Sequence, residues 1–354
     1  MNAPTGPSMP AAKPAGDGSG AAPPAARPQM QAIVQAGYGS ADVLRVEQVD
    51  RPAIAAGEVL VRVHAAGLDR GTWHLMAGQP YLIRLVSGWR APRNPVPGLD
   101  VAGTVEEAGP GVTTFQPGDQ VFGIGHGSFA DYARARQDKL ARKPASLSFA
   151  QAAAVPVSGL TALQGLRDAG RLQPGQHVLI TGASGGVGTF AVQIAKALGA
   201  EVTGVCSTAK AALVASLGAD KVIDYTRDDF ADGSQRYDLI LDIAGNSPLA
   251  RLRQALTRTG TLVIAGGEGA GRWTGMSRQV QALALSPFVG QRLTMLVSKQ
   301  RSDDLDRLAE LIEAGQLTPS IGATYPLDHA SDAMRDLQAG HARGKLVITV
   351  TDSG

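Results

Sequence analysis

Residues 177–199, HVLITGASGGVGTFAVQIAKALG, decide the fold of this 354-residue chain. A short apolar run, His177–Ile180, precedes a glycine series at Gly182, Gly185 and Gly188, and apolar residues then recur at helical spacing. The order strand, glycine turn, helix brings the backbone close to a pyrophosphate. It also offers that anion the free N–H groups and favourable dipole of a helix N-terminus. The stretch therefore predicts a dinucleotide site, with a tight turn that holds no ligand as the alternative.

Downstream of Leu172, strand-like and helix-like segments alternate along the chain. This rhythm predicts an α/β fold with a doubly wound parallel sheet. The predicted strands of this sheet are His177–Thr181, Glu201–Val205, Lys221–Asp224, Asp238–Asp242, Thr261–Ala265 and Arg292–Val297.

Upstream of this region the chain has a different character. From Met30 to about Val157, short alternating runs such as Val59–Val63 and Val101–Glu106 lie between Gly/Pro turns, which predicts a compact β-rich domain. Residues 1–29 are rich in Pro, Ala and Gly and nearly lack large apolar side chains, so we expect a disordered tail.

Composition limits the possible partners and the location. The chain has 33 basic and 31 acidic residues, a net charge of +2. The sequence has no basic stripe of the kind that indicates nucleic-acid binding. It also has no block of like charges of the kind that indicates binding to a membrane surface. The single cysteine, Cys206, excludes an internal disulfide and fits a reducing compartment, so we expect a cytoplasmic protein.

Several motifs in the expected order give a resemblance to the medium-chain dehydrogenase/reductase superfamily, in its zinc-free quinone oxidoreductase and enone reductase branch. They are GEVLVRVHAAGLDRGTW, PGLDVAGTVEEAGPGV, FQPGDQVFG, GSFADYA, AAAVPVSGLTAL, LQPGQHVLITGASGGVGTFAVQIAK, LGADKVIDY and GKLVITV. The resemblance implies a GroES-like catalytic domain from residues 30–157 and 318–354, a Rossmann cofactor domain from 158–317, and a homodimer paired through the cofactor domains.

A competing family has a related glycine motif. Thr181 and the glycines that follow also satisfy the T-G-x-x-x-G-x-G of short-chain dehydrogenases. That family needs a tyrosine with a lysine four residues later, and none of the six tyrosines has one. We therefore set this alternative aside.

The resemblance also allows a test for zinc ligands. The segment similar to the first ligand's motif ends in Asp69 instead of cysteine, and Gly98-Leu99-Asp100 stands where Gly-His-Glu is expected. The structural-zinc cysteine cluster is absent from the sequence. We predict no metal, although an Asp69–His74 pair could bind one. Cys206 is interpreted as a packing residue.

A site without a Lewis acid suits a substrate whose product charge is delocalised, such as a quinone or an α,β-unsaturated ketone. The family implies a substrate cleft between the domains, lined by Asp69–Tyr81. The catalytic candidates are Asp69, Trp73, His74 and Tyr81, with His74 or Tyr81 as proton donor and Trp73 as a stacking surface. Packing or loop roles are the alternatives for each of them.

The predicted cofactor is NADPH. No carboxylate ends the second strand of the parallel sheet, whereas Ser207, Thr208 and Lys210 follow it and can bind a 2′-phosphate. The resemblance adds Tyr225 as a cap on that phosphate. It also places Thr161 near the carboxamide, with a helix-cap role as the alternative. The other predicted cofactor residues are Gly182, Ser184, Gly185, Gly186, Val187, Gly188, Asp242, Gly266 and Lys345.

Two rival functions stay open at this point. One is a zinc-free alcohol or aldehyde oxidoreductase. The other is a non-catalytic NADPH-binding protein of the crystallin-like or RNA-binding kind, for which the sequence offers no basic patch with aromatic residues.

Overall fold

The structure is a computed structural model that describes residues 1, 6, 28–266, 276–340 and 342–350. Most of the predicted tail, residues 2–5 and 7–27, lies outside the described residues. No helix of the described part is both long and apolar enough to cross a bilayer.

The first half of the chain is rich in short strands, as the turn spacing predicts. These strands are β1 (Gln29–Gln35), β2 (Leu44–Asp50), β3 (Glu58–Leu68), β4 (Asp100–Ala108), β5 (Gln120–Ile124), β6 (Tyr132–Arg136) and β7 (Leu140–Arg142). The helices of this half are short: α1 (Arg70–Ala77), α2 (Arg84–Ser87) and α3 (Phe149–Ala153).

The second half alternates strands and helices. The strands are β8 (His177–Thr181), β9 (Glu201–Cys206), β10 (Lys221–Asp224), β11 (Tyr237–Asp242), β12 (Leu256–Ile264) and β13 (Arg292–Met295). The helices are α4 (Pro156–Gln164), α5 (Gly186–Ala197), α6 (Ala211–Ser216), α7 (Leu249–Ala255), α8 (Ser277–Leu285) and α9 (Ser302–Glu313).

The six strands form one parallel sheet in the order β10-β9-β8-β11-β12-β13. This is the doubly wound order, in which the chain reverses direction across the sheet between β8 and β11 and opens a crevice at their carboxyl ends. The predicted α/β fold class is confirmed. Among the strand bounds, β12 departs most from prediction: it begins at Leu256, not Thr261, because buried Leu256 already pairs with Tyr237 of β11.

The C-terminal segment leaves the parallel sheet. After α9 it forms β14 (Ile321–Pro326), α10 (Ala330–Ala339) and β15 (Lys345–Thr349). β15 pairs in parallel with β14 and in antiparallel with β3, so these strands join β3, β4, β5 and β7 in the sheet of the first half. Four of its five residues are buried, which explains why the apolar end of the chain returns to this sheet.

Two contacts join the halves beside the crevice. Gly344, just before β15, forms a bridge with Gly185 and donates its N–H to Ser184 O at 2.9 Å. Val157 in α4 donates its N–H to Asp100 Oδ1 at 2.8 Å, which ties the first turn of that helix to the start of β4. The crevice is therefore bounded by both halves.

Candidate active site

The glycine turn has the geometry that a pyrophosphate site needs. Gly182 has φ = +70°, a conformation that L side chains rarely adopt. A Cβ on Gly188 would lie 2.1 Å from Gly182 O, so only glycine lets α5 pack this closely on the turn. The N-terminus of α5 has no side-chain cap, and its first N–H groups fit an anion such as a pyrophosphate.

A cleft of about 630 Å³ opens at this turn. It extends from the end of β3 past the glycine turn to the end of β9 and to the connection between α10 and β15. Ten of the residues predicted from the sequence line it: Asp69, Gly182, Ser184, Gly185, Gly186, Val187, Ser207, Lys210, Tyr225 and Lys345.

A buried lysine lies on this cleft between two carboxylates. Lys345 Nζ donates to Asp100 Oδ2 at 2.7 Å and to Ser158 Oγ at 3.2 Å, and Asp69 Oδ2 is 3.9 Å away. Lys345 is 1% exposed and Asp100 is fully buried. An ammonium has three N–H donors, so two are engaged and the third has no hydrogen-bond acceptor among the described residues.

The strand register explains why these residues meet. β15, β3 and β4 are adjacent, and Leu346 pairs with Leu68, so the residues flanking that pair, Lys345 and Asp69, are neighbours at one end of the sheet. Asp100 is the first residue of β4 at the same end. Its carboxylate fits there because Gly67 has no side chain: a Cβ at that position would lie 2.6 Å from Asp100 Oδ2.

The two carboxylates differ in their surroundings. Burial raises the pKa of Asp100 to about 7, against the opposing effect of Lys345, and the charge of Asp69 raises it further. Asp69 caps α1 through Oδ1, which accepts from Thr72 N at 2.8 Å. Its buried Oδ2 accepts no hydrogen bond from the described residues. That free acceptor fits a ligand donor, such as a hydroxyl or an amide N–H of a nicotinamide nucleotide.

The raised pKa of Asp100 predicts a pH dependence of stability. The folded protein binds the Asp100 proton more tightly than the unfolded chain does. The contribution of this proton to the free energy of unfolding is therefore fully present below about pH 4 and is lost as the pH rises through about 7. We expect Asp100→Asn to flatten this decline. The measurement is the free energy of unfolding in urea at about pH 5 and about pH 8 for both proteins. An equal decline in both would contradict the assignment to Asp100.

Polar and basic groups surround the far end of the cleft, beyond β9. Ser207, Lys210 and exposed Tyr225 line it. Lys210 Nζ donates to Gly340 O at 3.0 Å and to Ala342 O at 2.8 Å, so it also anchors the α10–β15 connection. Burial and then the nearby charge of Arg343 lower the pKa of Lys210. This end of the cleft has the chemistry to bind a phosphate.

Three of the four catalytic candidates lie away from the described lining of the cleft. Trp73 packs on the core of the first half, and His74 Nδ1 pairs with Gln79 O at 2.7 Å. Tyr81 lies under the Arg84 guanidinium, 4.8 Å from its ring centre. Their catalytic roles stay predictions, and these positions favour packing. Only Asp69 is on the cleft.

Five predicted cofactor residues are also absent from the described lining. Gly188 packs beneath the turn, and the Thr161 hydroxyl donates to Val157 O within α4 instead of capping it. The other three form hydrogen bonds within the protein. The Thr208 hydroxyl donates to Asp224, and the Gly266 N–H donates to Asp242 O. The buried Asp242 carboxylate accepts from Thr181 and Arg278.

Sequence reasoning did not assign roles to two members of the lysine cluster. Asp100 follows Leu99, which stands where the zinc-ligand histidine is expected, and the sequence pattern gives neither Asp100 nor Ser158 a role of its own. The signal for Asp100 was present, because an aspartate at the start of a buried strand needs a cationic or hydrogen-bonding partner. Nothing in the local sequence of Ser158 shows that α4 directs it toward the C-terminal strand.

Comparison with known proteins places this geometry in a family. The family model described as "Alcohol dehydrogenase GroES-like domain" matches residues 55–145, and that described as "Zinc-binding dehydrogenase" matches 217–348. The chain is 32% identical to the chloroplast envelope quinone oxidoreductase homolog of Arabidopsis thaliana, over 90% of this chain and 98% of that protein. The chain belongs to the medium-chain dehydrogenase/reductase superfamily, among the quinone oxidoreductases and enone reductases.

Two further relatives are informative. The 2-methylene-furan-3-one reductase of Solanum lycopersicum is 33% identical over 90% of this chain and 79% of that protein. A mycobacterial protein solved in complex with NADPH is 28% identical with a TM-score of 0.78, over 90% of this chain and 99% of that chain. The predicted GroES-like and Rossmann-type architecture is confirmed by these matches.

Proposed function

We propose that this protein is a zinc-independent, NADPH-dependent oxidoreductase that transfers hydride to quinones or α,β-unsaturated carbonyl compounds. The observation that carries the proposal is the buried Lys345 ammonium on the cleft wall between Asp69 and Asp100. It supplies positive charge where a product oxyanion needs it. The names of the quinone and enone reductase relatives support the substrate class.

The chain's own residues account for what the reaction needs besides hydride, which NADPH supplies when bound. Hydride addition to the β-carbon of an enone, or to a quinone, moves an electron pair onto the carbonyl oxygen. The remaining N–H donor of Lys345 stabilises that oxygen and can deliver its proton, and solvent restores the ammonium. Asp100 and Ser158 hold Nζ in place through its other two N–H groups.

The same lysine supports zinc independence. Asp69 stands where the resemblance expects a zinc-ligand cysteine and Leu99 where it expects a histidine, and the Lys345 ammonium lies 3.9 Å from Asp69 Oδ2 and 2.7 Å from Asp100 Oδ2. The ammonium supplies one positive charge beside these two carboxyl groups and occupies the space between them. A divalent cation at this point would have to displace it.

The charge of the cleft supports NADPH over NADH. Apart from the Lys345–Asp69 pair, its described lining contains three basic residues, Arg70, Lys210 and Arg251, against one carboxylate, Asp228. A 2′-phosphate adds negative charge that this surplus favours. Ser207 lies at the end of β9, where NAD-dependent members of this fold place a carboxylate.

A substrate panel tests the proposal. We expect NADPH oxidation with quinones and enones, unchanged by a chelator, and little or no oxidation of simple primary alcohols. Metal analysis of the same preparation should show no stoichiometric zinc. Alcohol oxidation without quinone or enone turnover would support the alcohol dehydrogenase alternative. Cofactor binding without turnover of any substrate would indicate a binding protein.

The edge of the parallel sheet supports a homodimer. β13 is the outermost strand of the described sheet, and Val280, Leu283, Phe288 and Val297, close to it in the chain, are all exposed. A second copy that covers this edge would bury them and satisfy the strand's open hydrogen bonds. A cytoplasmic location stays part of the proposal and is supported by the buried single cysteine.

A further inference from the structure

A group of apolar side chains in the first half of the chain points into solvent. Leu82, Leu85 and Val86 lie on a short helical stretch that ends at Ser87, and Trp89 follows Gly88, whose φ of +127° ends the helix. Here their exposed fractions are 46%, 60%, 75% and 70%. We call residues 81–93, which include α2, the apolar turn.

The opposite side of the apolar turn is fixed to the protein. The Tyr38 hydroxyl bonds Ser87 Oγ at 2.8 Å and donates to Gly88 O at 2.6 Å. Arg84 Nε donates to Gly78 O at 2.9 Å, and the Arg84 guanidinium lies over the Tyr38 ring. The fold therefore holds these apolar side chains outward by specific contacts.

Charge distinguishes this region from the rest of the chain. Residues 70–99 contain four arginines, Arg70, Arg84, Arg90 and Arg93, and no aspartate or glutamate, whereas the whole chain is nearly balanced at +2. Arg90 and Arg93 are exposed, and within the described residues their guanidinium groups have no ion-pair or hydrogen-bond partner. Positive charge thus flanks the exposed apolar side chains.

We propose that the apolar turn docks on the surface of an anionic lipid bilayer. Leu and Val side chains enter the acyl boundary, tryptophan prefers the interface, and arginine binds acidic headgroups. A single helical turn gives weak, reversible attachment. A nucleic acid would require more stacking aromatic side chains than Trp89 alone provides. This proposal revises the expectation, drawn from composition, that the protein has no membrane partner.

One consequence rests on the proposed function. α1 begins at Arg70 on the cleft, and Gly78, which follows its last residue, accepts a hydrogen bond from Arg84 of the apolar turn, so docking brings the cleft close to the bilayer. A quinone dissolved in the bilayer is then a substrate, as well as a quinone dissolved in water.

Vesicle flotation tests the docking directly. We expect the protein to float with vesicles that contain phosphatidylglycerol, but not with pure phosphatidylcholine. In about 1 M salt, where the Debye length is ~3 Å, it should dissociate. Leu85→Ser/Trp89→Ser should abolish flotation, and Arg90→Ser/Arg93→Ser should weaken it about five-fold per arginine. The matched controls are Val46→Ser and Arg307→Ser, exposed positions elsewhere, which should float like wild type.

Fluorescence provides a second measurement on the folded protein. Trp73→Phe/Trp273→Phe leaves Trp89 as the only tryptophan, and its emission should shift to the blue and be quenched by brominated lipids. Failure of the wild type to float, or equal flotation of the Leu85/Trp89 variant, would overturn the proposal. If that variant instead changes the oligomeric state in sedimentation velocity, the apolar turn is a contact between copies, which also overturns it.

Turnover separates this proposal from the proposed function. If the protein floats but reduces neither water-soluble nor vesicle-bound quinones, the docking holds and the proposed function fails. If both hold, Leu85→Ser/Trp89→Ser should keep the rate with a water-soluble quinone and lose it with a vesicle-bound one. Equal rates of wild type and variant with the vesicle-bound quinone would refute the consequence for substrate access.

Discussion

Replacement of Lys345 by methionine is expected to lower the rate of hydride transfer about 10²- to 10³-fold, the usual cost of removing one donor to a developing oxyanion. NADPH affinity should change little, because Asp100 and Ser158 accept two of the three Lys345 N–H groups and the proposed function assigns the third to the substrate carbonyl oxygen. The measurement is single-turnover NADPH oxidation with a quinone, with NADPH binding followed separately by fluorescence. A larger primary deuterium isotope effect should accompany the slower rate.

The control for this prediction addresses folding. Loss of Lys345 leaves two buried carboxylates without their cation, and breaking a buried pair typically costs about 3–5 kcal/mol. We therefore compare Lys345→Met/Asp100→Asn with Asp100→Asn alone, since the double variant has one fewer buried acid. Near-equal turnover by these two variants would remove Lys345 from the reaction and leave it a structural residue.

Discrimination between NADPH and NADH is the second large effect. We expect Ser207→Asp to reduce the preference for NADPH about ten- to a hundred-fold, because one charge-assisted contact is worth about 1.5–3 kcal/mol. The measurement is kcat/KM for both cofactors. Ser207→Asn is the matched control, since it has almost the same shape without the charge, and it should keep the preference.

A substitution of Lys210 tests the 2′-phosphate site less specifically than one of Ser207. Lys210 also donates hydrogen bonds to two carbonyl groups of the α10–β15 connection, so Lys210→Ala should weaken NADPH binding and also loosen that connection. If Ser207→Asp and Ser207→Asn have the same effect, or if wild type uses NADH as well as NADPH, the assignment of the 2′-phosphate site is refuted.

Local sequence determined the strands and helices of the second half of the chain, which form the parallel sheet and its glycine turn. The bounds of β8 and β10 agree with prediction at every residue. These signals act within one strand, turn or helix, through side-chain period, glycine conformation and the free N–H groups of a helix N-terminus. The glycine turn of residues 182–188 is predictable for the same reason.

The Lys345 end of the cleft depended on tertiary structure. Lys345 and Asp100 are 245 positions apart and meet because β15 crosses back to pair with β3 beside β4. Trp73, His74 and Tyr81 have suitable chemistry and are close in sequence to Asp69, yet α1 and the turn that follows carry them away from the described cleft lining. Sequence spacing specifies the local elements. The direction in which each side chain points depends on how whole sheets bury their apolar faces against one another. That packing places Lys345 beside Asp69 and Asp100 from the first half of the chain.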